Sequence, residues 1–276
     1  MEAILKLKTF SPKTEKVYLS IIKRLTKLGF KYPSKKAEGV KYIKAFFAEH
    51  EMTKASTRLD LLNLVIVLRL IQELPTDSLK EYRTELSKER LTNQVGKMQS
   101  VKETLMSKAD FEAALLKAFE ANEYKRFIVG YMMLHLGVRN MDCDCEIVKS
   151  KKDMTDPKQN YILLAKDKAT IYRNSYKTSK TFGSQEHIIT DPEFVSSVKK
   201  HGVGRIFAEG QLSNGMKKLL IGGMNEAKVF KMVIDDSFDK KDTKRINELS
   251  KSRGTSIATI RSFYDVNAED EVIRQL

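Results

Sequence analysis

The spacing of apolar residues changes twice along this chain of 276 residues, and these changes restrict the fold more than any single motif does. Up to residue 136, apolar side chains recur every three or four positions, which predicts amphipathic helices. Three short segments, 161–164, 169–172 and 187–189, are rich in β-branched and aromatic residues and predict strands. The helical spacing returns from Glu193 onward. The sequence therefore predicts a helical part followed by a mixed part.

Four helices are predicted within the first hundred residues. Ser11-Pro12 is a good start for the first of them, because the hydroxyl group caps the helix and proline fits its first position. The third, at about 55–73, is apolar enough to be strongly buried. The stretch 94–108 is polar and basic without clear periodicity, so it is predicted to be a linker. We therefore expect one domain at 1–101 and a second at 102–276.

The charge of the chain is strongly positive and uneven. The formal net charge is +14, and residues 1–100 hold 20 Lys and Arg against 11 Asp and Glu. This excess favours a polyanionic partner, since lysines and arginines gain affinity for nucleic acid by releasing condensed counterions. Lys23, Lys27 and Lys41, on the polar faces of the first two helices, are predicted to contact DNA phosphates. The alternative is that these faces are simply solvated.

Several other protein classes are not favoured by the sequence. The longest apolar run, 61–68, falls short of the roughly 20 residues that a membrane-spanning helix needs. The first residues do not resemble a secretory signal, so an intracellular, reducing compartment is expected. Cys143 and Cys145 offer neither a disulfide framework nor a four-ligand zinc site, and we expect them to serve in packing or as neutral surface residues.

Basic residues and a tyrosine follow one another in the second part of the chain in an order that suits phosphodiester chemistry. Arg139 comes shortly after Gly137 at a predicted helix end, and Lys177 lies in the basic segment 176–180 between two predicted strands. Arg253 stands in a turn shortly before Tyr264. Cleavage by a tyrosine requires this nucleophile, cations for the non-bridging oxygens and an acid for the leaving oxygen, but no metal.

This order resembles the tyrosine recombinases, the phage-type integrase family, and among them integrase-like proteins of large DNA viruses and mobile elements. The resemblance implies a helical core-binding domain at 1–101, followed by an α+β catalytic domain with a small antiparallel sheet at 102–276. It implies Arg139 as the first catalytic arginine, Lys177 as the general acid and Tyr264 as the nucleophile. Lys180 is the second choice for the acid and otherwise a DNA contact. A 3′-phosphotyrosine intermediate, double-stranded DNA as partner, a tetramer on DNA and no cofactor are also implied.

Two segments depart from the pattern of this family. The segment 228–233 aligns with the family's His-x-x-Arg helix, which places Lys228 at the histidine position and Lys231 at the second arginine. Arg253 stands where the family has histidine or tryptophan. An ammonium group does not reproduce the two-bond clamp of a guanidinium. Either the chain belongs to a divergent branch that uses Lys and Arg in these roles, or its activity is reduced or lost.

Two alternatives remain open from the sequence. In a non-catalytic DNA-binding protein, residues 243–264 would form a helix-turn-helix that presents Thr259 and Arg261 to the major groove, with Tyr264 in the core. A type IB topoisomerase would share the catalytic domain, but it is expected to begin with strands. The acidic tail after Tyr264 is predicted to dock on a neighbouring protomer or on its own domain.

Overall fold

The computed structural model describes residues 1–33 and 39–266, with the backbone alone for 94–99. The acidic tail from residue 267 onward lies outside the described residues. Contacts divide the chain into two compact units, Met1–Gln94 and Val95–Leu276. Helix α5, Asp77–Lys102, runs through the point of division, so most of the predicted linker is helical. Gln, Lys and Met are good helix formers, and one glycine within a helix costs only about 1 kcal/mol.

The described residues of the first unit form helices and the turns between them, with no strand. The helices are α1 (Glu2–Leu5), α2 (Pro12–Lys27), α3 (Gly39–Glu49), α4 (Ala55–Ile71) and most of α5. Helix α2 begins as predicted, because the hydroxyl of Ser11 accepts a hydrogen bond of 3.3 Å from the backbone N–H of Thr14. Helix α4 is the most buried of the five and places Leu62, Leu64 and Leu68 in the centre of the apolar core.

The second unit contains eight described helices. They are α6 (Lys108–Glu120), α7 (Tyr124–Leu136), α8 (Ser179–Phe182), α9 (Pro192–His201), α10 (Leu212–Lys218), α11 (Glu226–Asp239), α12 (Thr243–Arg253) and α13 (Ile257–Phe263). The predicted cap of α6 is present, since the Ser107 hydroxyl accepts from the Asp110 N–H at 3.0 Å. Helix α7 ends at Gly137, which has a φ of 60°.

A five-stranded sheet completes the second unit. Its strands are β1 (Cys145–Val148), β2 (Asn160–Leu164), β3 (Ala169–Arg173), β4 (Gln185–Ile189) and β5 (Gly204–Arg205), in the spatial order β4-β3-β2-β1-β5. The prediction of an antiparallel sheet is wrong for one pair, because β1 and β2 run parallel while the other pairs are antiparallel. Residues 149–159, which include a 3₁₀ turn, carry the chain back to the start of the sheet. A hairpin turn would have reversed its direction.

One apolar core holds the second unit together. Buried Ile147, Ile162 and Ile171 from the sheet belong to the same core as Phe194 of α9 and Met132 of α7. The core therefore fixes the end of α7 relative to the sheet and to α11 and α12, which supply the candidate site described below. No helix within 1–33 and 39–266 is long and apolar enough to cross a membrane.

Candidate active site

Arg139 stands where helix α7 gives way to a 3₁₀ turn, Asn140–Cys143. A side chain at Gly137 would come within 2.9 Å of Phe230 and Leu249, so only glycine permits this close approach of the chain to α11 and α12. The backbone N–H of Arg139 donates a 2.9 Å hydrogen bond to the Asp142 carboxylate, which is fully buried. The turn thus holds the half-buried Arg139 side chain at the end of α7.

Arg253 is the last residue of α12, and its side chain is only 2% exposed. The guanidinium donates to the carbonyl of Gly137 at 2.9 Å and to the carboxylate of Glu226. It also lies over the ring of Phe230, 3.9 Å from the ring centroid. These contacts join the end of α12 to the end of α7 and to the first turn of α11.

Tyr264 follows helix α13 and is half-buried. Its hydroxyl oxygen accepts a hydrogen bond of 3.3 Å from the guanidinium of Arg253. Its ring packs edge-on against Phe230, with 4.7 Å between the centroids and 90° between the ring planes. Because the hydroxyl accepts from Arg253, its own proton is free to be donated elsewhere.

Arg139 meets the other two residues through the backbone of Arg253. The Arg139 guanidinium donates a hydrogen bond of 2.7 Å to the Arg253 carbonyl oxygen. Burial lowers the pKa of Arg139, as does the positive charge of Arg253, whereas Asp142, Tyr264 and Glu226 raise it. We call Arg139, Arg253, Tyr264 and Glu226 the arginine–tyrosine cluster.

Three of the residues selected from the sequence, Arg139, Arg253 and Tyr264, are therefore brought together. Glu226 was not selected, since a glutamate in the first turn of a helix is common and ordinarily serves the helix dipole. Here its carboxylate pairs with an almost fully buried arginine. The cluster thus contains two guanidinium groups, one carboxylate and one phenol.

A second buried arginine, Arg173, was also missed. It ends strand β3 with no exposed surface and donates to the Asp142 carboxylate at 2.5 Å. The same guanidinium donates to the backbone oxygen of Ser252 at 2.6 Å and to the side chain of Gln185 at 2.8 Å. In the sequence, Arg173 follows the alternation of Ala169 and Ile171, so it belongs to their buried face of the strand.

Lys177 and Lys180 lie in the connection between β3 and β4, and both side chains are exposed. Lys177 is in the turn before α8, and Lys180 is within α8. Thr178, between them, packs so closely on Gly254 that a methyl group there would overlap its hydroxyl. Gly254 directly follows Arg253, so the Lys177 segment adjoins the arginine–tyrosine cluster.

Lys228 and Lys231 are both in α11 and partly exposed. Glu226 and Phe230, four residues apart, form the face of α11 that contacts Arg253. Lys228 is two residues from each of them, which puts it on the other side of the helix. Burial alone lowers the pKa of Lys231. Within the described part of the chain, no hydrogen bond or ion pair joins either lysine to Arg139, Arg253 or Tyr264.

The residues predicted to bind DNA in the first unit, Lys23 and Lys27 of α2 and Lys41 of α3, are all exposed. Lys27 also lines a cleft of about 580 Å³ together with Arg24 and Lys54. The cleft also contains Glu51, whereas Lys23 and Lys41 are not among its lining residues. The contact of the three lysines with DNA stays a prediction.

Cys143 and Cys145 are fully buried and unpaired, close to Arg139. The Cys143 thiol lies 3.7 Å from the Arg139 carbonyl oxygen, and the Cys145 thiol lies 3.3 Å from that of Asp142. Burial raises the pKa of both thiols. In the described ranges, no group of three or more His, Cys, Asp or Glu is arranged to hold a metal ion.

Comparisons with known proteins give only a low structural similarity. No family model and no curated protein matches the chain. Among solved structures, the crystal structure of XerA recombinase is similar, with a TM-score of 0.38 and 11% sequence identity. The match covers 96% of this chain and 90% of that chain.

Proposed function

We propose that this protein cleaves and rejoins double-stranded DNA through Tyr264, as tyrosine recombinases do. One observation carries the proposal. Arg139 stands 114 residues before Arg253 in the sequence, and Tyr264 follows Arg253 after one further helix, yet hydrogen bonds link the three residues into one cluster. The Tyr264 hydroxyl is hydrogen-bonded to the guanidinium of Arg253, whose backbone carbonyl holds the guanidinium of Arg139. A tyrosine nucleophile and two cations are the groups that attack on a phosphodiester needs.

In the proposed reaction, the hydroxyl oxygen of Tyr264 attacks the phosphorus and forms a bond to it, and its proton leaves to water. The bond from phosphorus to the 5′ oxygen breaks, which leaves a 3′-phosphotyrosine and a free 5′ hydroxyl. Arg139 and Arg253 stabilise the charge on the two non-bridging oxygens, because a guanidinium donates two hydrogen bonds to one phosphate. Rejoining is the reverse of these steps.

The leaving 5′ oxygen needs a proton, and Lys177 is the proposed donor. Its segment packs on Gly254, the residue after Arg253, and its ammonium group is exposed to an arriving strand. Lys180 is the second choice for this role. Both lysines also add positive charge beside the cluster, where a DNA backbone would lie.

Glu226 pairs with Arg253 and neutralises it in the free protein. A phosphate that enters the site would compete with this carboxylate for the same guanidinium. The lysines of the first unit, Lys23, Lys27 and Lys41, are proposed to hold the duplex by its phosphates. Recombination joins two duplexes, so a tetramer on DNA is part of the proposal.

A duplex with a nick close to the cleavage position tests the proposal, because a short 5′-hydroxyl fragment diffuses away and traps the covalent intermediate. The protein should form a species that survives denaturation and carries labelled DNA. Tyr264→Phe should abolish it without changing the Kd for the duplex. Tyr172→Phe is the matched control, since Tyr172 is half-buried on β3, away from the cluster. An unchanged yield in Tyr264→Phe would exclude this nucleophile.

A second candidate, DNA binding without cleavage, is favoured by the surroundings of Arg253. Its guanidinium is 2% exposed and already donates to Gly137, Glu226 and Tyr264. Helices α12 and α13 also follow one another across a short turn, with Ser256 capping the second, which is the order of elements that a helix-turn-helix requires. Under this candidate, the protein binds duplex DNA but forms no covalent species on any nicked duplex.

A further inference from the structure

Arg173 is the central residue of a buried polar network behind the cluster. Its guanidinium reaches Asp142, Ser252 and Gln185, which belong to the turn after α7, to α12 and to β4. Nothing of the side chain is exposed, so it does not touch a DNA phosphate directly. Arg173 therefore contributes to the structure of the protein and not to a direct contact with DNA.

Stability alone does not account for this network. A buried ion pair loses the hydration of both charges, and replacing such pairs with apolar residues is often neutral or stabilising. Two atoms of the pair, the Arg173 Nε and one Asp142 carboxylate oxygen, are buried with no hydrogen-bond partner. Unsatisfied buried polar atoms add a further cost. The pair is thus better explained by the geometry that it imposes.

The pair of Arg173 and Asp142 affects the positions of both arginines of the cluster. The Asp142 oxygen that pairs with Arg173 also accepts from the backbone N–H of Arg139, at 2.9 Å. On the other side, Arg173 donates to the carbonyl and hydroxyl of Ser252, the residue before Arg253. One planar guanidinium therefore fixes the backbone on which each cation of the cluster stands.

We propose that Arg173 is a positioning residue that sets the spacing of Arg139 and Arg253 around Tyr264. It acts through Asp142 and Ser252, and this proposal rests on the proposed function of Tyr264. An arginine is needed because its fork donates in several directions within one plane, whereas an ammonium group acts as a point charge. Misplacing catalytic groups by about 1 Å can cost on the order of a hundredfold in rate.

The test is Arg173→Lys, which keeps a positive charge beside Asp142 but removes the fork. We expect the single-turnover rate of adduct formation at saturating nicked duplex to fall on the order of tenfold to a hundredfold. The Kd for the duplex should stay within about twofold of the parent value, because Arg173 touches no DNA. A merely structural role predicts a lower melting temperature with an unchanged rate per folded molecule, and that result would overturn the proposal.

Arg205→Lys is the matched control. Arg205, on the edge strand β5, makes an ion pair of 3.0 Å with Asp144, and among the described residues its hydrogen bonds do not reach Arg139, Arg253 or Tyr264. Its replacement likewise exchanges a paired guanidinium for an ammonium group and should leave the rate unchanged. If Arg173→Lys does not fold, the paired change Arg173→Met with Asp142→Leu removes both buried charges together. If the folded double variant forms the adduct at the rate of the parent protein, the proposal is overturned.

A failure of the proposed function is recognised separately, since the parent protein would form no adduct at all. The positioning claim then rests on NMR of the arginine side chains in the free protein. The Nε–H of Arg253 is buried without a partner, so its proton should exchange slowly and give an observable signal. In Arg173→Lys this signal should shift or broaden, whereas in Arg205→Lys it should stay in place. A signal unmoved by Arg173→Lys would contradict the proposal whatever the activity.

Discussion

The guanidinium of Arg139 donates a hydrogen bond of 2.7 Å to the backbone carbonyl of Arg253, 114 residues later in the chain. This bond ties the side chain of one candidate catalytic cation to the backbone of the other. The two arginines cannot be placed independently, since a shift of α12 moves the acceptor that orients Arg139. The end of α12 is therefore part of the site, although most of that helix has no chemical role in the proposal.

The second cation of the site is predicted to be Arg253 and not Lys231. Arg253→Lys should lower the rate of adduct formation on the order of 10² to 10³, because one ammonium replaces a donor of the transition state. Lys231→Arg should leave the rate within about twofold. Single-turnover kinetics on a nicked duplex measure both, with melting curves to show that each variant is folded. A clear rise in rate for Lys231→Arg would instead support the alignment with the family's second arginine.

Lys177 is predicted to protonate the leaving oxygen, which a change of leaving group tests. Lys177→Ala should cleave an ordinary duplex on the order of 10² to 10⁴ more slowly. It should cleave normally when the leaving 5′ oxygen is replaced by sulfur, since a thiolate leaves without a proton. Lys180→Ala is the control and should behave like the parent on both substrates. If sulfur rescues Lys180→Ala and not Lys177→Ala, the two lysines exchange roles.

Gly254 is predicted to be the glycine at which substitution is most harmful. It has a φ of 59°, and a methyl group there would overlap Thr178. Gly254→Ala should lose about 1–2 kcal/mol from backbone strain and a further ~1–3 kcal/mol from overpacking. Gly29→Ala is the matched control, because Gly29 has a φ of 73° in open space and should show the strain alone. Urea unfolding measures both, and equal losses would mean that Thr178 moves aside freely.

The lowered pKa values of two histidines predict how the free energy of unfolding depends on pH. Burial lowers the pKa of His135 and of His187 to about 4, with Arg245 and Arg173 respectively as further causes. The folded state thus resists a proton that the unfolded chain accepts near pH 6.5, so stability falls as pH drops from 6.5 towards 4. Between pH 7 and pH 5 each histidine should cost about 2 kcal/mol of unfolding free energy.

Replacing both histidines with glutamine should make the unfolding free energy less dependent on pH over that range. Far-UV circular dichroism at pH 7 serves as the control for correct folding. Urea unfolding at pH 5, 6 and 7 provides the comparison with the parent. An equally steep fall in the double variant would assign the pH dependence to other groups.

Much of the architecture was readable in the sequence because local signals mark it. Ser11, Ser107 and Gly137 predict helix ends. In the structure the two serines cap the starts of α2 and α6, and Gly137 ends α7 with a positive φ. Strand β5 has only two residues and shows no pattern of its own. The parallel pairing of β1 with β2 depends on the path of the connecting loop, and residue types in the strands do not specify it.

The candidate site was only partly predictable for a related reason. The order of Arg139, Lys177, Arg253 and Tyr264 is visible in the sequence, whereas the burial of a charge is not. Arg253 is 2% exposed only because Glu226 of another helix supplies its counter-ion. Such pairing is decided by tertiary packing, so local sequence patterns do not reveal it.

The most direct test of the central claim is to identify the residue that carries the DNA. Trypsin cleaves after Arg261 and Arg274, so Tyr264 is the only tyrosine of the peptide 262–274. After trapping on a nicked duplex and digestion with nuclease and trypsin, mass spectrometry should find the nucleotide on this peptide, linked through the phosphate to Tyr264. A nucleotide on any other residue, or tight binding of the duplex with no linked peptide, would contradict the account.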